Sequence, residues 1–469
     1  MSRLTDAQRH AVAELLRIAP VADDLGRRFA AAGHRLYLVG GSVRDALLGR
    51  LGDDLDFATD ARPEQVLGIL DGWGATWETG RAFGTIGVAR GDVRCEITTF
   101  RAETYDPDSR KPEVVYGDTL DGDLSRRDFT VNAMAVAVPD HEFVDPYGGL
   151  RDLAEGVLRT PGTPEQSFGD DPLRMLRAAR FAAQLGFAPA PEVVAAMAGM
   201  AERLGIVSAE RVQGELSKLL VGREPVRGLT LLVDTGLASQ VLPELPAMRL
   251  AIDAVHRHKD VYLHSLAVLE NAIAREPDGP DLTLRMAALL HDIGKPATRE
   301  IGPDGVSFHH HEVVGAKLAR KRLRALKYPK AFVEDVCRLV ELHLRFHTYR
   351  MGWTDAAVRR YVTDAGPLLD RLNRLVRSDC TTRNRAKAER LAASYDSLEE
   401  RIAELMAAEE LKAIRPDLDG TEIMAILGVP PGPLVGKAYK YLLNERMERG
   451  PIPHDEAVAV LRAWWDQQE

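Results

Sequence analysis

Two aspartates, Asp54 and Asp56 in the run DDLDFATDA, follow a glycine-rich turn, GGSVRD at Gly40 to Asp45. On a β-strand, residues i and i+2 face the same way. A strand through Leu55 and Phe57 therefore sends those two side chains into a core and sets two carboxylates side by side on the opposite face. Hard oxygen ligands at that spacing suit Mg²⁺, and paired Mg²⁺ ions suit phosphoryl transfer. Upstream, HRLYLVGG reads as a strand that ends in a tight turn. Ser42 is positioned to cap the helix that follows, VRDALLG, whose free N–H groups would face phosphates beside the fixed charge of Arg44. A surface turn and a solvated acidic strand would account for a lone Asp-x-Asp. With GGSVRD immediately before it, the pair points to a nucleotidyl-transfer site.

Short strands alternate with turns from about residue 34 to 145: RLYLVGG, DLDFAT, GTIGVARG, VRCEITTF and MAVAVPDHEFVD. From about residue 165 the apolar spacing becomes helical, in DDPLRMLRAARFAAQLGF, PEVVAAMAGMAERL and SAERVQGELSKLLV. The fold class expected is α+β. A sheet domain at 1–160, opening with an amphipathic helix in MSRLTDAQRHAVAELLRIAP, leads into helical segments at 161–250, 251–385 and 386–469. Breaks at Pro243 and Pro246 suggest a linker before about residue 250, and a Pro-Pro-Gly-Pro turn separates two helices near the end.

Cys95, Cys337 and Cys380 have neither metal spacing nor a disulfide pattern and fit a reducing cytoplasm. No apolar run is long enough to span a membrane, so no membrane partner is expected. The net charge of −9 does not advertise nucleic acid. Two stretches run against it: KLARKRLRALKYPK, Lys317 to Lys330, and the segment from Arg371 to Arg390. Each would either track a phosphate backbone or form a solvated helix face.

Further motifs follow in order. RRDFTVNA spans Arg126 to Ala133, DPYGG spans Asp145 to Gly149, and Asp170, Asp171, Pro172, Leu173, Arg174 form an Asp-Asp-x-x-Arg string. A histidine-rich set comes later: His264, His291 with Asp292 in HDIGK, His309 to His311, His343, His347 and Asp379. Together with GGSVRD and the aspartate pair, these motifs resemble the class II tRNA nucleotidyltransferase and bacterial poly(A) polymerase family in its form with an HD domain. The chain looks most like the CCA-adding enzymes of high-GC Gram-positive bacteria.

The resemblance implies a polymerase-β-like nucleotidyltransferase head, a helical neck that reads the incoming base, an HD domain, and a body and tail that hold tRNA, with CTP and ATP as the other substrates. Asp54 and Asp56 become Mg²⁺ ligands. Glu96, on an expected neighbouring strand, is either a third acid or an ordinary strand residue. Gly40, Gly41, Ser42 and Arg44 would lie at the phosphates, and Arg127, Asp128 and Asn132 at phosphate and ribose. The segment RAETYDPDSRKPEVVYGDTLDGDLS corresponds to a flexible loop that switches C addition to A addition, and its completeness argues against an enzyme that adds only the two cytidines. DPYGG corresponds to a hinge, where adjacent glycines would let the backbone rotate.

Asp171 and Arg174 become the base readers, three apart on one helix face. Cytosine and adenine each offer an amino donor beside a ring-nitrogen acceptor, so a carboxylate and a guanidinium fit both. Guanine and uracil reverse the pattern. Arg177 and Arg180 face phosphates or make surface salt bridges, and Arg211 with Glu215, at i and i+4, reads as a structural pair. In the HD segment, His264, His291, Asp292 and Asp379 would hold one divalent transition metal, and His311 and His343 a second, with Lys295 near a bound phosphate. That domain is implied to hydrolyse phosphoesters, or else to be kept for RNA binding or fold support. The alternative within the family is a poly(A) polymerase or A-adding enzyme.

Overall fold

The computed structural model describes residues 20–50, 52–81, 84–104, 113–117, 119–250, 260–302, 305–346, 349, 352–382, 384–409 and 415–468. The amphipathic N-terminal helix up to residue 19, residues 105–112 and 118 of the flexible-loop segment, and His347 lie outside them. The chain divides into two compact units, Met1–Pro243 and Glu244–Glu469.

The first unit is built on a seven-stranded mixed sheet of order β3-β4-β5-β2-β1-β8-β9. Its strands are β1 (Leu36–Val39), β2 (Asp54–Thr59), β3 (Ala75–Trp77), β4 (Thr85–Arg90), β5 (Val93–Thr99), β8 (Ala135–Val138) and β9 (Phe143–Val144), while β6 (Arg101–Thr104) and β7 (Glu113–Tyr116) pair separately. Strand β2 alternates as the pleat requires: Leu55 and Phe57 are 3% and 1% exposed, and Asp54 and Asp56 face out. It runs antiparallel to β1 and parallel to β5, with Asp56 opposite Glu96. Residues opposite each other in paired strands share a face, so the sheet sets Glu96 beside Asp56. Strand β3 and the β6–β7 pair are additions to the strands read from sequence; three residues, ATW, carry too little alternation to register.

Beyond the sheet the first unit is mostly helical. Helix Leu173–Leu185 packs against helices Ala209–Leu220 and Pro225–Asp234, burying Met175, Leu176, Ala179 and Ala182. A short parallel pair, Val157–Leu158 with Ala188–Pro189, ties the start of this region together. Gly148 has φ +73, and a Cβ on Gly149 would stand 2.2 Å from the Thr130 carbonyl oxygen. Asp145 accepts hydrogen bonds from the Gly149 and Leu150 N–H groups at 2.7 and 3.0 Å. The glycines of DPYGG are thus needed for a left-handed turn and a close approach.

In the second unit, residues 244–247 around Pro246 form a short helix, and Leu245 is fully buried. Helices Val261–Ile273, Leu282–Leu290, Lys330–Leu342 and Leu369–Ser378 surround one core. Among the described residues there, a small hairpin, Glu300–Gly302 with Gly305–Ser307, is the one strand pairing. Helices Gly420–Leu427, Pro433–Arg449 and His454–Asp466 close around Leu418, Ile423, Ala438, Leu442, Ala457 and Leu461. Asp419 and Glu422 form a reciprocal capping box at the first of them.

Candidate active site and candidate metal centre

A cavity of about 820 Å³ in the first unit is lined by Gly41, Arg44, Asp56, Arg127, Asp128, Asn132, Asp171, Arg174, Arg177 and Arg180. Motifs separated by more than a hundred residues therefore share one surface. Asp54, Glu96, Gly40 and Ser42 are not part of that lining. Eight arginines line it against four aspartates, which makes it a seat for a polyanion.

Strand β1 ends at Val39 and is followed by Gly40, whose φ is +68 and whose Cβ would meet Arg127 Nη1 at 2.5 Å. Glycine is required there on both counts. Helix Gly41–Leu47 then starts at Gly41, so Ser42 lies inside the first turn and makes no cap. Its Oγ instead accepts the Asp56 N–H at 2.9 Å. The expected cap is replaced by a stitch between the turn and the carboxylate strand. Arg44 is buried; its Nη1 donates to Asn132 Oδ1 at 2.6 Å, and Nε and Nη2 donate to Asp45 at 2.9 and 2.8 Å.

Asp56 is open to solvent by area, yet the surrounding protein withdraws enough water to raise its carboxyl above the ordinary value. Arg127 pulls the other way, and the charges of Glu96 and Asp54 push it up further. A divalent cation would relieve both the desolvation and the repulsion, and acidic oxygens are the donors Mg²⁺ takes. The aspartate pair with Glu96 therefore fits that ion.

Asp128 is almost fully enclosed. Its Oδ1 accepts from Phe129 N–H at 2.8 Å and Asn132 Nδ2 at 2.9 Å, and its Oδ2 from Arg177 Nε at 2.7 Å. Burial would raise its carboxyl, but the Arg177 charge and these hydrogen bonds outweigh it and hold the group at about 2. Asp123, 1% exposed, binds both Arg126 and Arg127 and is held low by them against its burial. Sequence reasoning missed Asp123, although its spacing of three and four to those arginines in DLSRRD is a readable helical signal.

Asp171 does not share a helix with Arg174. It sits in extended backbone after helix Pro164–Asp170, and the next helix begins at Leu173. Pro172 interposes, and a residue before proline is pushed toward extended backbone. Both nevertheless face the cavity. Asp171 Oδ1 accepts the Leu173 N–H at 3.1 Å and Oδ2 accepts Arg211 Nη2 at 2.7 Å. Arg174 is 7% exposed; Nη1 donates to Ser167 Oγ at 2.9 Å and Nη2 to the Arg126 carbonyl. Arg211 and Glu215 are not a pair. Glu215 faces Arg180 Nε at 2.9 Å, while Arg211 reaches Asp171. Helix packing, not i,i+4 spacing, selects the partners.

Phe181, also in the lining, stands under three guanidinium groups: Arg180 at 4.2 Å, Arg44 at 5.2 Å and Arg177 at 5.7 Å from its ring centre. Arg180 is lowered from its ordinary value, first by burial. Phe181, Arg101, Arg126 and Arg211 also belong to the wall and were not singled out from sequence for it.

The second unit gathers all six histidine and aspartate residues expected at the HD site. His264 lies on helix Val261–Ile273, His311 opens helix His311–Ala325, and His291, His343 and Asp379 each end a helix. Helix C-termini carry partial negative charge and favour a cation. Two groups bring their donor atoms within 4.8 Å of one another: His264, His291 and Asp379, and His291, Asp292 and His343. His311 Nε2 is 3.2 Å from Asp292 Oδ1.

The Nδ1 atoms of His291, His311 and His343 donate to the Ala288, Phe308 and Val340 carbonyls at 2.8, 2.7 and 2.6 Å. This anchors each ring with its Nε2 facing inward. All three Nε2 atoms are buried without a hydrogen-bond partner. Burial and the neighbouring His291 hold His343 down to about 3, so it is a neutral donor. Burial would raise Asp292, but His291, His311 and Lys295 hold it far below the ordinary value. Inward-facing Nε2 atoms with backbone-anchored Nδ1 atoms, beside carboxylates, fit the donor set of a transition metal. Lys295 Nζ is 2.6 Å from Asp292 Oδ2. His309 and His310 are exposed and outside the cluster.

Three family matches tile the chain: the Poly A polymerase head domain over residues 36–159, the probable RNA and SrmB-binding site of polymerase A over 186–248, and the HD domain over 261–409. The A-adding tRNA nucleotidyltransferase of Deinococcus radiodurans is 36% identical over 92% of this chain and 95% of its own length. The CCA-adding enzyme of Bacillus subtilis is 44% identical over 45% of this chain, and the match spans about half of that relative, 52%. Among solved structures, the Bacillus stearothermophilus CCA-adding enzyme in complex with CTP superposes with TM-score 0.70 at 27% identity, over 96% of this chain and 98% of that one.

Proposed function

Because the chain belongs to the tRNA nucleotidyltransferase family that contains the CCA-adding and A-adding enzymes, we propose that it adds C, C and A to the tRNA 3′ end from CTP and ATP, without a nucleic-acid template. It is a nucleotidyltransferase acting on tRNA. The observation that carries the finer reading is the single cavity that joins Asp56, the arginine wall, and the pair Asp171 and Arg174.

The residues divide the work. The GGSVRD turn, Arg44 and Arg127 orient the triphosphate, and Asp128 with Asn132 holds the sugar side in register. Asp171 accepts the exocyclic amino group of C or A, since hydrogen bonds from Leu173 and Arg211 leave carboxylate lone pairs in hand. Arg174 donates to the ring nitrogen. A base with the reversed pattern leaves both unpaired, at a cost of about 1–3 kcal/mol per group. Two Mg²⁺ ions bound at Asp54 and Asp56, with Glu96 adjacent, would supply the charge that lowers the 3′-hydroxyl pKa and stabilises departing pyrophosphate.

We assign the head to residues 1–160, the base-reading neck to 161–250, the HD domain to 251–385 and a tRNA-holding body and tail to 386–469. In the HD domain, the buried Nε2 donors support a bound transition metal and phosphoester hydrolysis. Three free cysteines suit a cytoplasmic setting, and no described helix is long and apolar enough to cross a membrane.

A second reading is A addition alone, favoured by the identity over nearly full length to the Deinococcus A-adding enzyme. Incubating tRNA that lacks CCA, and tRNA ending in CC, with CTP and ATP singly and together, then sequencing the products, separates the two. Extension of both RNAs to CCA supports the first reading. Extension of only the CC-ended RNA, by one A, supports the second. Long A tails on either RNA would overturn both.

A further inference from the structure

Of the two basic stretches in the sequence, the fold pairs most arginines of one, where Lys387 and Arg390 stay exposed without an ion pair among the described residues, and leaves a continuous row of cations unpaired in the other. In the segment from Arg371 to Arg390, Arg371 pairs with Asp281 at 2.6 Å, Arg374 with Asp370 at 2.7 Å, Arg377 with Glu399 at 2.8 Å and Arg385 with Glu389 at 2.8 Å. Helix His311–Ala325 is different. It buries His311, Gly315, Ala316, Ala319 and Leu323 against the core. Lys317, Lys321 and Arg324 are exposed at i, i+4 and i+7, which is one stripe on the opposite side. By helix rise the stripe runs for about 10 Å, and Lys327, also exposed, follows just past the helix end. None of these four makes an ion pair with a carboxylate among the described residues; Arg322, off the stripe, pairs with Glu244 at 2.8 Å. The chain carries an acidic excess, net −9, so acids are plentiful and these cations are still left without them.

We infer that the Lys317, Lys321, Arg324 and Lys327 stripe is a second RNA-binding surface, which grips the phosphate backbone of the substrate RNA through charge alone. The choice of RNA rests on the function proposed above; the polyanion specificity rests on the stripe. The helix macrodipole accounts for a cation in the last turn, such as Arg324, but not for Lys317 and Lys321 earlier in the helix. A membrane-binding helix would need an apolar face free to enter lipid, and here that face is in the core. A phosphate backbone needs only a row of unpaired cations.

The test uses full-length protein with Lys317→Glu, Lys321→Glu and Arg324→Glu combined, beside a control with Arg374→Gln and Arg385→Gln, two carboxylate-paired cations of the other stretch. Affinity for tRNA is measured against salt concentration, together with KM for tRNA and KM for CTP. The triple variant should bind tRNA at least about 10-fold more weakly at low salt. Its slope of log affinity against log salt should shrink by about 2–3, near one per lost phosphate contact, with KM for CTP unchanged and the control close to wild type. If the triple variant misfolds by circular dichroism, the triple glutamine variant takes its place, with the same expected loss of slope. Unchanged tRNA affinity and slope would overturn the inference, as would an equal loss in the control. So would lost binding to anionic phosphatidylserine vesicles with tRNA binding intact. If wild-type protein extends no tRNA but the triple variant still loses tRNA affinity, the proposed function fails and this surface stands.

Discussion

Arg177 donates through Nε to Asp128 Oδ2 at 2.7 Å, tying the helix that follows Asp171 to the segment RRDFTVNA. The helix that carries Arg174 and the segment that carries Asn132 are thereby joined through one buried carboxylate. Asp128 titrates at about 2 in the fold, against 3.8 ordinarily. A carboxyl with a depressed folded value adds stability that is complete above the unfolded value and is lost as pH falls through the folded one. Asp128→Asn should therefore cost about 2 kcal/mol at pH 7, and the gap to wild type should close between about pH 4 and pH 2. Urea unfolding at a series of pH values measures it; a gap that is constant down to pH 2 contradicts the assigned ionisation.

Asp54→Ala and Asp56→Ala should each lower nucleotide addition by about 1000-fold while tRNA affinity is retained, because the loss falls on charge stabilisation in the reaction. Single-turnover extension assays with Mg²⁺ as sole metal, run beside tRNA binding, check this. Near-normal addition by either variant would place the chemistry elsewhere.

Asp171→Ala and Arg174→Ala should narrow the preference for CTP and ATP over UTP and GTP by roughly 10- to 100-fold, the equivalent of one or two unpaired groups. Arg211→Ala should act in the same direction more weakly, since Arg211 Nη2 holds Asp171 Oδ2 at 2.7 Å. Competition between the four nucleotides on one tRNA reads all three variants. Preserved ratios in every one would show that the base is read by other residues.

His291→Ala combined with Asp292→Ala removes donors from both groups in the second unit. Bound transition metal and phosphoester hydrolysis should disappear while C and A addition persists. Metal analysis and tRNA extension on the same folded sample decide it, and loss of addition in a folded variant would contradict separate sites.

Much of this was readable in the chain because the signals are local. Asp54 and Asp56 are two apart on a strand whose alternate residues are buried, and His291–Asp292 is a contiguous pair. What escaped reading depends on packing. The spacing of Arg211 and Glu215 suggests a helical pair, yet the neighbouring helix offers Arg180 to Glu215, and Asp171 takes Arg211. Ser42 has the right identity for a cap, but the left-handed backbone at Gly40 starts the helix one residue early and turns the hydroxyl to Asp56. Which cations stay unpaired is equally invisible in composition: both basic stretches look alike until their carboxylate neighbours are known.

Phe181 carries no charge, yet three guanidinium groups take their stations around its ring. The strength of the cavity's field is therefore tunable by a residue that titrates nothing. A smaller side chain there would let like charges drift apart and soften the grip on an anion while leaving the protein's isoelectric point untouched. Variation at this position would alter the cavity's hold on an anion without a trace in any charge count.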